Sequence, residues 1–251
     1  LSVSWLSGKQ KGKARATAEQ AIVDGTAHLV VGTHALFQDN VRFAKLGLVI
    51  IDEQHRFGVD QRLALRNKGA QNMTPHQLVM TATPIPRTLA MSAYGDLDTS
   101  VIDELPPGRT PIQTVTIPLD RREEVLQRIA SNCLEGKQAY WVCTLVEESE
   151  TLDAQAAEAT YLEIKERFPE LNIGLVHGKM KADEKQAVMQ QFKANELQLL
   201  IATTVIEVGV DVPNASIMVI ENAERLGLSQ LHQLRGRVGR GAKASFCALL
   251  Y

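Results

Sequence analysis

The 251-residue sequence predicts an α/β protein with parallel β-sheets, divided into two domains. Short apolar runs rich in β-branched residues alternate with helical patterns, which is typical of βαβ units. Polar residues follow several of these runs, at the strand ends where open α/β sheets bind ligands. The segment Pro106-Pro107-Gly108 ends any helix. We place the domain boundary there, giving domains 1–107 and 108–251; the alternative is a loop inside one domain.

The individual elements follow from the same patterns. Strands are predicted at 28–31, 48–51, 77–80, 139–144, 173–176, 197–202, 217–220 and 246–250, and helices near 9–24, 86–94, 120–135, 151–168, 181–194 and 229–235. The continuous apolar run 46–51 predicts a strand buried on both faces. The first part then has three strands, few for an open sheet, and the second has five. No internal repeat is apparent.

The composition excludes some classes of protein. Hydrophobic residues make up 45% and charged residues 22%, which is ordinary for a soluble globular protein. The net charge of −2 does not indicate nucleic acid, although a local basic patch could still bind it. The cysteines Cys133, Cys143 and Cys247 have no metal-binding spacing and are expected to be reduced thiols in a cytosolic protein. No secretory signal and no apolar stretch of the roughly 18 residues that a membrane span needs is present.

The tetrad Asp52-Glu53-Gln54-His55 follows the apolar run 46–51. Carboxylates at the carboxyl end of a buried strand are suited to holding Mg²⁺ on a nucleotide and to polarising an attacking water. An isolated Asp-Glu pair is more often a solvated strand end. The arginine-rich segment later in the chain favours the nucleotide interpretation.

In that segment, Gln233–Gly241, the arginines Arg235, Arg237 and Arg240 are interleaved with glycines. Glycine lets the backbone approach a ligand closely, and arginine presents a fork of donors that fits phosphate oxygens. Arginine also stabilises charge on a transferring phosphoryl group. The alternatives are a solvated basic turn or a generic phosphate-binding or RNA-binding loop.

Four shorter polar segments follow other predicted strands. Segments 32–34, 177–179 and 202–213 can bind a nucleic-acid phosphate, and Asp211 can accept a hydrogen bond from a ribose hydroxyl. Segment 81–87 could report the nucleotide state to a second domain. The alternative in each case is helix capping or a solvated turn. The segments are 32–34 with Thr33, 81–87 with Thr81 and Thr83, 177–179 with His177 and Lys179, and 202–213 with Thr203, Thr204, Gly209 and Asp211.

Taken in order, these segments resemble the motor motifs of superfamily 2 helicases. The acidic tetrad is similar to motif II, the DExH box, and Thr81-Ala82-Thr83 is similar to motif III. Residues 202–213 resemble motif V, and 233–240 fit the motif VI pattern Gln-x-x-Gly-Arg-x-x-Arg. The resemblance implies two RecA-like parallel-sheet domains: residues 1–107 with motifs Ib, II and III, and 108–251 with motifs IV, V and VI.

The resemblance also implies a role for each matched residue, with ATP and Mg²⁺ as cofactors. Asp52 would coordinate Mg²⁺ through the nucleotide and Glu53 would activate water. Arg237 and Arg240 would reach the γ-phosphate. Glu53 would also lie at the Mg²⁺ on the nucleotide. The remaining implied roles are coupling of nucleotide state to DNA (Gln54, His55, Thr81, Thr83), further nucleotide contacts (His55, Gly209, Asp211, Gln233) and DNA-backbone contacts (Thr33, His177, Lys179, Thr203, Thr204).

Within the superfamily, residues 52–59, 80–89 and 224–240 are similar to the group that remodels stalled replication forks and branch-migrates Holliday junctions. This implies a double-stranded DNA translocase in the bacterial cytoplasm, associated with the nucleoid. It implies branched DNA and single-strand-binding protein as partners, no membrane, and a monomer. Three alternatives stay open: the transcription-repair coupling translocase, an RNA helicase with the same motor, and a non-catalytic nucleic-acid-binding α/β module.

One family feature is missing from the sequence. No Gly-x-x-x-x-Gly-Lys-[Ser/Thr] pattern, the loop that cradles the β- and γ-phosphates, occurs in the 251 residues. In the family this loop precedes the matched motifs, and the chain starts at Leu1. We therefore expect a piece of a longer protein whose first RecA-like domain is incomplete here. We expect the piece alone neither to hydrolyse ATP usefully nor to unwind DNA.

Overall fold

The computed structural model describes residues 1–53, 65, 67–69, 74–81, 98–105, 109–144, 150–207, 212–241 and 244–251. Their contacts divide the chain into a first unit, Leu1–Pro86, and a second unit, Arg87–Tyr251. The proposed boundary at about residue 108 and the predicted helix 86–94 fall on residues outside the described ones, so both stay predictions. No described helix is long and apolar enough to cross a membrane.

The first unit contains two separate parallel sheets in its described part. β1 (Val3–Leu6), helix α1 (Gly12–Val23) and β2 (Leu29–Gly32) form one βαβ unit, in which β1 pairs with β2. β3 (Leu48–Ile51) pairs with β4 (His76–Val79) in the other. The core of the first sheet contains Leu6 and Ile22, which are 0% and 2% exposed.

The prediction that run 46–51 is buried on both faces was wrong. Val49 and Ile51 are 7% and 3% exposed, whereas Leu48 and Ile50 are both 56% exposed. Side chains alternate between the two faces of a strand, so β3 buries one face only. Leu78 of the paired strand β4 is also exposed, and no described element covers this second face.

The second unit is built on one six-stranded sheet in which every pairing is parallel. The strand order is β5-β10-β9-β6-β8-β7. The strands are β5 (Gln113–Ile117), β6 (Gln138–Val142), β7 (Ile173–Val176), β8 (Leu199–Ala202), β9 (Ala215–Ile220) and β10 (Phe246–Leu250). The helices are α2 (Arg122–Leu134), α3 (Glu150–Arg167), α4 (Ala182–Lys193) and α5 (Leu228–Arg235).

Helices cover both faces of this sheet. On one face Trp141 of β6 packs in a cluster with Leu126 of α2 and Ile164 of α3. On the other face Tyr140, its neighbour in β6, packs with residues of α4 and α5. All residues of β6, β8 and β9 are buried, as expected for central parallel strands. The fold class predicted from the sequence, two RecA-like parallel-sheet domains, is confirmed by this topology together with the comparisons given below.

Two strands were not predicted from the sequence. β1 is a four-residue strand in which Ser4 interrupts the apolar residues, and β5 forms the edge of the six-stranded sheet with four of its five residues exposed. Exposed strands such as β5 lack the continuous apolar run that marks a buried strand. The described parts of the two units therefore contain four and six strands instead of three and five.

The three cysteines are buried thiols that form no disulfide. Burial raises the pKa of Cys133 and of Cys247 to about 12, and it raises the pKa of Cys143 as well. The sequence prediction of reduced thiols is consistent with this placement, while the expected absence of a metal-binding role stays a prediction.

A structural repeat links the two units, contrary to the absence of a repeat in the sequence analysis. β1, α1 and β2 have the same lengths and spacings as β7, α4 and β8, each residue number being shifted by 170. The turn after each helix has a left-handed residue at the matching position, Gly25 with φ 70° and Asn195 with φ 63°. Only seven of the 37 residues in 1–37 are identical in 171–207. The spacing of the elements is therefore retained although most amino acids differ.

We predict that the first unit unfolds locally more readily than the second. Two-stranded sheets are marginal in water, and three exposed apolar residues lie on the β3–β4 face, whereas the central strands of the second unit are covered on both faces. The test is hydrogen exchange on the 251-residue chain, comparing the matched strands β2 and β8. We expect β2 amides to exchange faster by at least an order of magnitude. Equal protection of the two strands would contradict the prediction.

Candidate functional site

The acidic pair lies at the carboxyl edge of the sheet formed by β3 and β4. These strands run parallel with Ile51 opposite Val79, and the Met80 amide donates a hydrogen bond of 2.8 Å to the Ile51 carbonyl oxygen. Asp52 follows one strand and Thr81 closely follows the other. The structure thus brings two of the predicted groups to one edge, because parallel strands end on the same side.

The backbone at this edge has an uncommon conformation. Glu53 has φ 52°, in the left-handed region that residues other than glycine seldom adopt. Its amide donates to Asp52 Oδ1 at 2.9 Å, which supports the turn. Such a conformation costs about 1–3 kcal/mol and is found mainly where function requires it. The strain therefore favours a functional role for Glu53 over that of a solvated strand end.

The donor set at this edge fits Mg²⁺. Asp52 is exposed and Glu53 is half-buried, and carboxylate oxygens are ligands that Mg²⁺ prefers. No group of three or more His, Cys, Asp or Glu side chains in the described residues is arranged to hold a metal ion. Since Mg²⁺ takes few protein ligands and completes its shell with water and phosphate, one exposed carboxylate suits an ion that arrives with a nucleotide.

In the second unit, neighbouring strands β7 and β8 end at His177 and Thr203. The Thr203 amide donates to the Val176 carbonyl oxygen at 3.2 Å, which fixes the two strand ends side by side. His177 Nε2 lies 3.3 Å from Glu158 Oε1 on α3. His177 and Thr203 are 8% and 3% exposed, so neither side chain is accessible to a nucleic acid in this conformation. Thr204, which follows, is half-buried.

The other predicted DNA contacts are accessible. Lys179 is exposed three residues beyond the end of β7, and Thr33 is exposed one residue beyond the end of β2. The Thr33 amide donates to the Leu6 carbonyl oxygen at 3.2 Å, matching the bond made by Thr203 in the second unit. Lys179 and Thr33 are therefore the better supported backbone contacts.

The arginine segment, residues 233–240, starts in the last turn of α5 and continues as a tight turn. Leu234 and Val238 are 0% and 2% exposed and anchor the segment in the core. Arg237 and Arg240 are half-buried, and Arg240 Nε donates to the Gly236 carbonyl oxygen at 3.1 Å. The core contacts fix the backbone from which both guanidinium groups project.

Gly239 is required inside this segment. Its φ is 75°, and a Cβ atom there would lie 2.9 Å from Ile112 Cγ1. A larger residue would push the turn away from the sheet and would displace Arg240, its neighbour in the chain. The glycine interleaving seen in the sequence thus has a packing cause at this position.

Several predicted site residues lie outside the described residues. These are Gln54, His55, Thr83, Gly209 and Asp211. Their roles stay predictions. Gln233 is half-buried at the start of the arginine segment, which is where the sequence placed it.

A polar network that no sequence pattern predicts lies at the carboxyl edge of the second unit. Arg122, the first residue of α2, donates through Nε to Glu221 at 2.5 Å and pairs with Glu163 at 2.9 Å. Its guanidinium carbon lies 5.4 Å from the Trp141 ring centroid. Burial alone would lower the pKa of Arg122, but the bonds to the two carboxylates raise it above its ordinary value.

A second part of this network holds the chain after β9. Thr144 Oγ1 donates to the Glu221 carbonyl oxygen at 2.5 Å, and Asn222 Nδ2 donates to the Thr144 carbonyl oxygen at 2.8 Å. Asn222 has φ 48° and begins the turn that leads into α5. These partners are far apart in sequence and carry no motif, so no sequence signal pointed to them.

Comparison with known proteins gives two family models and a set of relatives. Residues 1–92 match the model for the DEAD/DEAH box helicase, and residues 121–242 match the helicase conserved C-terminal domain. The chain is 70% identical to the ATP-dependent DNA helicase RecG of Escherichia coli strain K12 and 52% identical to that of Bacillus subtilis strain 168. Each alignment covers the whole chain and 36% of the relative.

Solved structures agree with this. A structure of RecG bound to a three-way DNA junction matches the whole chain with TM-score 0.72 and 44% identity. The match covers 32% of that RecG chain. A single-substitution variant of S. cerevisiae Dbp5, bound to RNA and ADP BeF3, matches the whole chain with TM-score 0.66 and 14% identity. The match covers 64% of the Dbp5 chain and shows a shared fold alone. The chain thus spans about a third of the length of its RecG relatives, and the resemblance found in the sequence is confirmed.

Proposed function

Because the chain belongs to the DEAD/DEAH box helicases and matches RecG along its whole length, we propose that it is the motor part of a longer ATP-dependent DNA helicase, here called the parent protein. The observation that carries the proposal is chemical. One chain holds a strained acidic pair at a strand end and an anchored arginine segment, which together suit hydrolysis of a nucleoside triphosphate.

We assign the residues as follows within this proposal. Asp52 holds Mg²⁺ on the nucleotide, and the ion supplies charge neutralisation of the phosphate oxygens when it is bound. Glu53 orients and deprotonates the attacking water. Arg237 and Arg240 stabilise charge that develops on the γ-phosphate, with Gln233 beside them. His55, Thr81 and Thr83, with Gln54, transmit the nucleotide state, while Gly209 and Asp211 contact the nucleotide.

The nucleic-acid substrate is proposed to be branched DNA. The relative solved with a three-way DNA junction supports this choice, since it matches the chain over its full length at 44% identity. Remodelling of stalled forks and branch migration of Holliday junctions are the corresponding activities. Lys179, Thr33 and Thr204 are the proposed backbone contacts, with His177 and Thr203 positioned behind them.

The proposal is tested by assaying the parent protein on labelled fork and Holliday-junction substrates, beside an assay for displacement of stalled RNA polymerase. We expect ATP-dependent unwinding of both DNA substrates and no polymerase displacement. Polymerase displacement without junction unwinding would replace the proposal with the transcription-repair coupling translocase. ATP-dependent unwinding of RNA duplexes alone would replace it with an RNA helicase.

A further inference from the structure

The structural repeat places a pair of lysines at matching positions in the two units. Gly8-Lys9-Gln10-Lys11 follows β1, and Gly178-Lys179-Met180-Lys181 follows β7, each glycine standing two residues beyond the strand end. Lys11 and Lys181 are the N-cap residues of helices of equal length, α1 and α4. The two glycine-lysine loops therefore occupy matching positions in the repeat, at the carboxyl end of a strand and the amino end of a helix.

The identical residues are not distributed evenly over the repeat. Of its seven identical positions, three belong to the glycine-lysine loop, and one is the threonine that follows the neighbouring strand, Thr33 or Thr203. Most core positions have changed identity, whereas these polar positions have not. Packing alone does not require lysine on an exposed loop, so the retained lysines suggest a ligand common to the two loops.

The electrostatics of the first loop favour an anion. All four lysine side chains are exposed, and no carboxylate in the described part of the chain forms an ion pair with them. Helix α1 has no acidic residue in its first turn. Cations at a helix amino terminus oppose the helix dipole, and this cost is relieved when a phosphate binds there.

The geometry next to the loop supplies a second donor. Thr33 is exposed at the end of β2, the strand paired with β1, so its hydroxyl and the lysine loop share one edge of the sheet. Lysine and threonine side chains are the usual partners of nucleic-acid phosphates. Glycine at position 8 leaves open space around the backbone, since nothing lies within 4 Å of a Cβ atom placed there.

We propose that Lys9 and Lys11 bind the phosphate backbone of nucleic acid in the first unit, as the counterpart of Lys179 and Lys181 in the second. The motor then has one phosphate-binding lysine loop in each unit, and each loop belongs to the same kind of strand-loop-helix element. This inference rests on the proposed DNA-binding function and adds Lys9, Lys11 and Lys181 to its contacts.

The test is the salt dependence of DNA binding by the parent protein, measured with a fluorescent three-way junction for K9Q/K11Q and for K179Q/K181Q. The slope of log K against log salt concentration changes by about 0.9 for each phosphate contact with duplex DNA. Each double variant should therefore have a slope shallower by about 1.8, and the quadruple variant by about 3.6.

A matched control variant loses two lysine charges at a different edge of the sheets. Lys45 and Lys193 are exposed, and both precede strands, at the amino edges of the sheets. K45Q/K193Q should leave the slope unchanged. The thermal unfolding midpoint of each variant should equal that of the unmodified protein. A changed slope then does not come from unfolding.

The outcomes separate this inference from the proposed function. If K9Q/K11Q behaves as the control while K179Q/K181Q has a shallower slope, the inference fails and the DNA-binding function stands. If both pairs behave as the control, or if the unmodified parent protein does not bind the junction, the inference and the assigned DNA contacts fail together.

Discussion

The parent protein with Glu53→Gln is expected to bind ATP normally and to hydrolyse it slower by about 10²–10⁴-fold, the usual contribution of a general base. Glutamine keeps the size of the side chain and leaves the left-handed turn in place, with the bond from the residue 53 amide to Asp52 intact. It removes only the carboxylate that takes the proton from water. The change should appear in kcat and leave the nucleotide Kd unaffected.

Steady-state ATP hydrolysis with saturating junction DNA, beside equilibrium binding of a fluorescent ATP analogue, measures both quantities. Glu170→Gln is the matched control, because Glu170 is exposed and forms no described ion pair. Retention of more than a third of the hydrolysis rate by Glu53→Gln would remove Glu53 from the role of base.

Arg240→Ala should lower ATP turnover by about 10³-fold or more, as expected for an arginine that stabilises the transferring phosphoryl group. The side chain is half-buried on an anchored turn, so its guanidinium is held in place before ATP binds. Arg240→Lys should restore little of the lost ATP turnover, since lysine keeps the charge but lacks the planar fork of hydrogen-bond donors. Ground-state ATP binding should weaken far less than kcat falls.

The local bond to Gly236 requires a structural control for Arg240. Arg128→Ala removes an exposed arginine of α2 and should leave turnover unchanged. Near-identical thermal unfolding of Arg240→Ala and the unmodified protein would show that the turn has kept its place. A loss of turnover smaller than tenfold in a folded Arg240→Ala variant would rule out the proposed role.

Much of the fold was predictable because the central strands of the second unit are continuous apolar runs. The central strands β6, β8 and β9 were placed within a few residues of their observed bounds, and β3, β7 and β10 were placed with their observed bounds. The helices that the structure describes were also placed within a few residues. The edge strand β5 was missed because its residues are mostly exposed. The burial of β3 was overestimated because a strand with one uncovered face can still be apolar along its whole length.

The candidate site was predictable where local sequence dictates chemistry. Asp52 and Thr81 were predicted from residue type and position after a strand, and the arginine segment from its arginines interleaved with glycines; their roles stay predictions. The network of Arg122 with Glu163 and Glu221 was not, because its members come from three separate elements and meet only in the folded sheet. The lysine repeat was also missed, since few of its positions are identical and its evidence is the equal spacing of elements.

The central claim is that this chain is the motor of a DNA-dependent ATPase that acts on branched DNA. The most direct measurement is ATP hydrolysis by the parent protein alone, with a three-way DNA junction, and with a structured RNA of the same length. We predict strong stimulation by the junction, little by the RNA, and loss of the stimulated rate in Glu53→Gln. Equal stimulation by the RNA, or a rate that does not depend on nucleic acid, would contradict the claim.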